Sequence, residues 1–511
     1  MEAVINDSIP QTPQTFSSME KWMITITVML VAVIEVLDVT IVNVSLNQMM
    51  GSFGATSEEI TWILTAYLVS SAIFMPLTGV LMQYFGCRKL LLINIVGFLI
   101  ASMLCGASTD LAEIVFCRIL QGIFGASLVP ISQYVLRNTF PREEQGKAMA
   151  IWGMGIMVAP IMGPTLGGYI TEVLNWRWVF YINVPVCVLA FVMAINFIRE
   201  TPTHKEKIDW LGLILMAIAV GTFQTVLDQG NNKSWFESDY IVVLSFICVV
   251  FFTLFIYRGW SKKDNIINLH LFAERHFMAS TLILSIYVMG LFGSAVIQPL
   301  MMQLLMNYSP SLAGDVMAPR GLASALVMFL AIPLNKILDN RILVAVGILI
   351  SAYGTYMMTQ FTMNDDMMTF IIPGIVQGVG LGLVMMPLSS AAFDYLKKNQ
   401  IAEASGLFSF GRSMGISIGI SILSTVLTRL TQTNWNTLSP HIQVFNPNFT
   451  HWMNTQNLTL QNPAAMQLAA IQVQQQSSMI AFLDCFRVAT IMLLLLLPIV
   501  LLLKKPQLKD S

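Results

Sequence analysis

The chain has 511 residues, of which 56% are hydrophobic and only 11% charged, with a formal net charge of −1 and a mean hydropathy of +0.70. A soluble domain carries about 25% charged residues, so most of this chain belongs in lipid. Near-neutral charge without a basic stripe outside the loops gives no ground for nucleic-acid binding, and six scattered cysteines without a CxxC argue against structural disulfides and zinc.

The polar N-terminal tail, with Glu2, Asp7 and Glu20, leads into a long apolar run. That run lacks a basic flank followed by a small-residue cleavage site, so it reads as a retained helix. Further apolar runs of about 20 residues follow, each able to cross roughly 30 Å of hydrocarbon as a helix. The predicted spans are 22–48, 60–81, 90–107, 112–136, 147–170, 178–198, 210–227, 240–257, 277–300, 314–334, 342–361, 367–393, 403–427 and 480–503. The expected fold class is therefore an all-α membrane protein with fourteen transmembrane helices. Barrel strands, which alternate apolar and polar residues over about ten positions, do not match. Twenty Lys and Arg residues fall in the loops of one side against Arg177, Lys233 and Arg429 on the other. The basic side is expected to be cytoplasmic, with both termini on it.

In the first span Glu35 and Asp38 lie three residues apart on one helix face. Ionisable side chains within a span are costly to bury and are functional candidates by default. At about 1.5 Å per residue, Asp38 lies roughly 15 Å and Arg118, in the fourth span, roughly 9 Å below the outer surface, so the two can meet. A structural ion pair locking the two helices is the alternative. In the fifth span, Pro160, Gly163, Pro164, Gly167 and Gly168 combine kink-forming prolines with small residues that admit a neighbouring helix. They read either as tight packing or as a bend about which the molecule rocks. Arg412 stands mid-span in the thirteenth helix, while Arg320 with Asp315 and Arg487 with Asp484 stand nearer outer ends. Gly378, Gly380 and Gly382 imitate a nucleotide loop, but no strand precedes them, so packing is expected. The five histidines have no metal-ligand spacing, and no catalytic constellation or phosphate loop stands out. Neither an enzyme nor a metal or cofactor site is expected.

The chain also repeats itself. Gln121-Gly122 recurs 256 positions later as Gln377-Gly378, and Gly155, Ala159 and Gly163 recur as Gly411, Gly415 and Gly419. This register divides the chain into an N-terminal six-helix half over 1–200, a linker with two added spans over 201–276, and a C-terminal half over 277–511 with an outer loop at about 430–479. By the same offset Asp38 and Arg118 correspond to Ser294 and Gly374, both uncharged.

These motifs resemble the EmrB-like, fourteen-span branch of the drug:proton antiporters in the major facilitator superfamily (the EmrB/QacA-like family), over nearly the whole chain. The resemblance rests on Leu37-Asp38-Val39-Thr40-Ile41-Val42-Asn43-Val44, on Trp62 and Tyr67, and on Arg118, Gln121, Gly122 and Gly125. It also rests on Gly163-Pro164 through Gly167-Gly168, on Trp176-Arg177-Trp178-Val179-Phe180-Tyr181-Ile182-Asn183-Val184-Pro185, and on Ala318-Pro319-Arg320-Gly321. It implies proton coupling through Asp38, Arg118 and Glu35, and a substrate cavity bounded by Glu35, Asn43, Trp62, Tyr67, Gln121 and Arg412. The fifth-span residues would serve gating, and Gly79, Gly86, Arg88 and Lys89 form the inner-loop motif. The sequence departs from the family in that loop: Gln83 stands where an Asp is usual, which alters the inner charge latch. The implied activity is multidrug efflux from an inner membrane, exchanging a small-molecule substrate for protons. An EmrA-like periplasmic adaptor and a TolC-like outer-membrane channel are the implied partners. Export of one metabolite, such as a siderophore or fatty acid, and a non-transporting sensor or scaffold are the other readings.

Overall fold

The computed structural model describes residues 16–203, 209–261, 269–394, 396–397, 400–443, 445–455 and 463–501. The expectations resting on Glu2, Asp7, His204, Lys205, Lys207, Lys262, Lys263, Lys398, Lys504, Lys505 and Lys509 lie outside these residues. Among the described residues fourteen long helices succeed one another: α1 Ser18–Phe53, α2 Trp62–Phe85, α3 Cys87–Ala107, α4 Leu111–Thr139, α5 Arg142–Val173, α6 Trp178–Phe197, α7 Trp210–Gln229, α8 Asp239–Ser261 and α9 Arg275–Met306. Then come α10 Pro310–Ile337, α11 Asn340–Gln360, α12 Met367–Phe393, α13 Ile401–Leu438 and α14 Pro463–Leu494. Thirteen of them are long and apolar enough to cross a bilayer; α5 makes the fourteenth, bent by 44° between Glu144–Pro160 and Thr165–Val173. The protein is a multi-pass membrane protein, and no strand occurs among the described residues.

Local sequence sets the helix starts. Ser17 and Glu20 form a capping box on α1. Asp110, Glu274, Ser309, Asp339 and Asp366 accept from first-turn amides of α4, α9, α10, α11 and α12. Gly86, at φ +85°, turns α2 into α3, a conformation that glycine adopts without steric cost.

Between α1 and α6 the main contacts are α1 on α5, α6 and the second part of α4, with α2 on α4 and α3 on α4 and α6. From α9 onward a similar set forms, with α9 on α13 and α14, and α12 between α10 and α11. The two bundles meet along α5 and α10 and again where α2 meets α13. The α2–α13 contact is made at the ends carrying the Lys- and Arg-rich loops, here termed the basic face. There Gln83 Nε2 donates to Glu403 Oε1 at 2.9 Å, and Gly406 fits against the carbonyls of Met75 and Pro76. Toward the opposite face α7 stands between α2 and α13, while α8 pairs with α7 and leaves most of its length to lipid.

The segment expected to be an outer loop at about 430–479 is largely helical. Helix α13 runs on to Leu438, a short helix covers Pro447–Thr455, and α14 starts at Pro463. Alanine, glutamine, leucine and methionine dominate from Ala464 to Gln476, and all favour helix regardless of polarity, so the helix does not stop where hydropathy does. Asn434 Nδ2 donates to the Ser477 carbonyl at 3.3 Å, tying the two extensions together.

Candidate functional site

The two charges singled out in α1 and α4 meet. Arg118 Nη1 donates to Asp38 Oδ2 at 2.5 Å, and both side chains are 0% exposed. The carboxylate is otherwise held by neutral amides: Gln121 Nε2 donates to Oδ1 at 2.8 Å and Asn183 Nδ2 to the same oxygen at 2.9 Å. Arg118 in turn gives its Nε–H to the Ile63 carbonyl of α2 at 3.1 Å and shares Nη1 with Gln121 Oε1 at 2.7 Å. Its guanidinium carbon lies 4.2 Å from the Tyr67 ring centroid. A buried pair of this kind persists only when further hydrogen bonds satisfy the remaining lone pairs, and removing one partner leaves an uncompensated charge.

Asn183 completes the cluster and was not among the expected site residues, although it lies in the Trp176 to Pro185 motif. The motif explains its placement. Trp176 Nε1 bonds Ser52 at 3.0 Å and Arg177 Nη2 bonds the Ser108 carbonyl at 3.1 Å, which anchors the start of α6 against α1 and α3. Asn183 then reaches both Asp38 and Ser102, the latter at 3.0 Å.

Tyr67 and Gln121, expected at a substrate cavity, belong instead to this sealed cluster, because hydrogen bonding and ring packing around Arg118 bury them to 1% and 0% exposure. Between the bundles lies a small cavity, bounded by Gln133 and Trp152 on one side and Met386, Ser389, Phe408 and Arg412 on the other. Of the six residues expected to bound a cavity, only Arg412 lines it; its Nε is buried without a hydrogen-bond partner among the described residues. Glu35, one turn from Asp38 toward the basic face, is 8% exposed, and its electrostatic partner on the other bundle is Arg412. Asn43 and Trp62 are exposed and lie away from these cavity walls.

The glycines of α5 pack on the helix that carries the acids. A Cβ on Gly163 would collide with Thr40, and one on Gly167 would stand 3.0 Å from the Ile41 carbonyl. Pro160 closes the first segment of α5, and Gly168 lies in the second, beyond the 44° bend. Pro164 sits between the two segments. On other faces α5 meets the second bundle through Gly153 on Met328 and Thr165 on Gly314. In the inner-loop motif, Gly79 lies against the backbone of Glu403 and Gly86 against Glu200. Arg88 bonds the Ile195 carbonyl at 2.6 Å, and Lys89 is exposed. Gln83 meets Glu403 through an amide-to-carboxylate hydrogen bond.

The second bundle carries related contacts. Gln377 Nε2 donates to Ser294 Oγ at 3.0 Å and to Thr355 Oγ1 at 2.8 Å. Arg320 does not pair with the exposed Asp315; it is 7% exposed and donates to the Leu291 carbonyl at 3.3 Å. Arg487 and Asp484 form a partly exposed pair at 2.6 Å. Gly378 and Gly382 seat α12 on α10, and Gly380 seats it on α11, so this glycine run serves packing.

Residues 28–420 match the model of the Major Facilitator Superfamily. The chain is 32% identical over 488 residues to the fatty acid resistance protein FarB of Neisseria gonorrhoeae, covering 94% of this chain and 96% of that one. It is 33% identical over 486 residues to the multidrug export protein EmrB of Escherichia coli (strain K12), with 94% and 95% covered. Among solved structures, the human organic anion transporter MFSD10 (TETRAN) superposes with a TM-score of 0.60 over 93% of this chain and 99% of that one. At 12% identity that is a likeness of fold alone.

Proposed function

This chain belongs to the Major Facilitator Superfamily, and from that premise we propose that it is a proton-driven secondary exporter of small hydrophobic or amphipathic compounds, an antiporter in multidrug efflux. The buried Asp38–Arg118 pair carries the reading, since a carboxylate held inside a membrane span by one guanidinium and two amides can exchange a proton for a change in helix contact. Outside protons load Asp38, the N-terminal half over 1–200 rocks against the C-terminal half over 277–511, and substrate in the cavity beside Arg412 is released outward. Each proton entering down a 100 mV potential supplies about 2.3 kcal/mol. The glycines of α5 let α1 and α5 move as one body. The chemistry of this reading is transport.

The protein is read as lying in an inner membrane with the basic face and both termini in the cytoplasm. The extensions of α13 and α14, with Phe445 95% exposed between them, are the surface offered to an EmrA-like adaptor that leads to a TolC-like channel. Cysteine at Lys397 should resist an impermeant thiol reagent in intact cells while cysteine at Asn436 reacts; the opposite pattern overturns the orientation. In proteoliposomes Asp38→Asn should abolish substrate-driven pH change for every substrate. Persistence of that signal would sink the coupling role, and its absence from the unaltered protein across a broad compound panel would favour a sensor or scaffold.

One observation favours acidic amphiphiles, the fatty-acid class, among the substrates. Arg412 presents an Nε with no hydrogen-bond partner among the described residues at a cavity whose other walls are largely apolar. Arg412→Gln should then reduce export of decanoate more than of ethidium, and Glu35→Gln should do the reverse. Equal losses in both variants would remove these roles.

A further inference from the structure

The two added spans are not passive filler. Helix α7 occupies the outer half of the seam between α2 and α13, where the two halves part, and its outer end is bonded to both. Toward the N-terminal half, Gln229 Nε2 donates to Thr61 and Thr65 at 3.4 and 3.3 Å. Toward the C-terminal half, Gln224 Nε2 donates to Ser417 Oγ at 3.1 Å, and Ser421 Oγ donates to the Leu227 carbonyl at 2.8 Å. Just beyond the helix, Trp235 Nε1 donates to Thr425 and Asn231 Nδ2 to Thr428, at 3.0 and 3.1 Å.

Amid this seam stands another acid, Asp228, one residue before the end of α7. Its Oδ1 accepts from Gln224 Nε2 at 3.1 Å, the same amide that reaches Ser417. Its Oδ2 is buried and accepts no well-formed hydrogen bond among the described residues, although the Thr65 hydroxyl of α2 faces the carboxyl. The contrast with Asp38 is direct, for Asp38 has a guanidinium on one oxygen and two amides on the other. Helix α2 presents only Thr61 and Thr65 here and has no charged residue between Trp62 and Phe74. On α13 the charged groups are Glu403, at the basic end beside Gln83, Arg412, which faces Glu35, and Arg429, three turns beyond Ser417. The insertion itself contributes Lys233, Glu237 and Asp239 in its outer turn and at the start of α8. An ionised carboxylate with one bare, buried oxygen is expensive in a membrane, and a bound proton removes the charge and makes that oxygen a donor.

We propose that Asp228 is a second proton-binding carboxyl of the transport cycle, carried by the inserted helix and loaded from the outer side when the α2–α13 seam loosens. The step is a simple association, carboxylate plus proton giving the neutral acid, with the proton drawn from outside water. Helix α2 then lies between two proton sites. Ile63 on it receives Arg118, and Thr61 and Thr65 receive the insertion, so one rigid helix senses both. The proposal rests on the proton-driven reading above.

The test uses the full-length protein in liposomes and the proton alone as probe, following the protonated-carboxyl stretch by infrared titration. Asp228→Asn should remove one titrating carboxyl and lower the protons bound per protein by one, leaving the Asp38 signal in place. Asp38→Asn should remove a different one. If the asparagine variant fails to reach the membrane, Asp228→Glu should shift one carboxyl band without abolishing it. A spectrum and proton count identical to the unaltered protein in whichever variant folds would overturn the proposal. Failure of the coupling reading is seen separately, as transport-linked pH change surviving in Asp38→Asn.

Discussion

The two bundles place the same amide against different partners. Gln121 of α4 donates to Asp38 of α1, and Gln377 of α12, 256 positions later, donates to Ser294 of α9, the residue 256 positions after Asp38. The glycine beside each amide also repeats its contact: Gly122 fits against Tyr67 and Gly378 against Ala323, again 256 apart. What differs is charge. Gly374 stands at the register of Arg118, and the guanidinium of the second bundle comes instead from α10, with the Arg320 Cβ 3.6 Å from where a Cβ on Gly374 would be. One scaffold therefore serves twice, once with an acid and its counter-ion and once with hydroxyls. The frame is a packing solution that needs no ionisable group, and the charges in the first bundle are an addition made at a cost.

The sharpest way to break this comparison is to remove each arginine. Arg118→Leu should strip Asp38 of its counter-charge and destabilise the protein by about 3–5 kcal/mol, with loss of coupled export. Arg320→Leu removes a buried cation that has no carboxylate partner among the described hydrogen bonds, and should change stability by less than about 1 kcal/mol. Thermal unfolding in detergent measures both, and equal costs would mean that the two networks are equivalent after all. Replacing the shared amide comes next. Gln121→Leu should cost about 1.5–3 kcal/mol because its partner is ionised, and Gln377→Leu about 0.5–1.5 kcal/mol, with proton coupling disturbed only by the first.

The glycine ladders give a smaller contrast. A Cβ on Gly419 would run into the Met289 backbone, which cannot rotate away, so Gly419→Ala should cost about 1–3 kcal/mol. On Gly167 a Cβ meets Ile41 at 3.0 Å, which a slight shift relieves, and Gly167→Ala should cost less. The smallest effect is expected at the basic face. Gln83→Asp sets a carboxylate against Glu403 and should weaken the closed seam by about 0.2–1 kcal/mol. Adding Glu403→Gln should restore it, as read from labelling of a cysteine placed in the seam.

The spans, the basic face, the repeat and the meeting of Asp38 with Arg118 were legible from the chain alone. A run of apolar residues has a length that lipid thickness fixes, and a charge inside such a run is conspicuous because burying it is costly. Neutral polar residues give no such signal. Asn183 and Ser102 are ordinary residues in an apolar helix until α6 and α3 bring them to Asp38. Asp228, near the end of its span, could be taken for a boundary residue until α7 is seen between α2 and α13. Hydropathy also ended the thirteenth span and began the fourteenth too close to the bilayer, because helix propensity in the Ala- and Gln-rich segment is independent of polarity. Sequence determined which groups are expensive to bury and how long each helix must be in lipid. Only the tertiary structure decided which neutral side chains share that cost, which acid keeps one oxygen unpaired among the described residues, and that the amide of Gln83 closes on Glu403, because these depend on contacts between helices far apart in the chain.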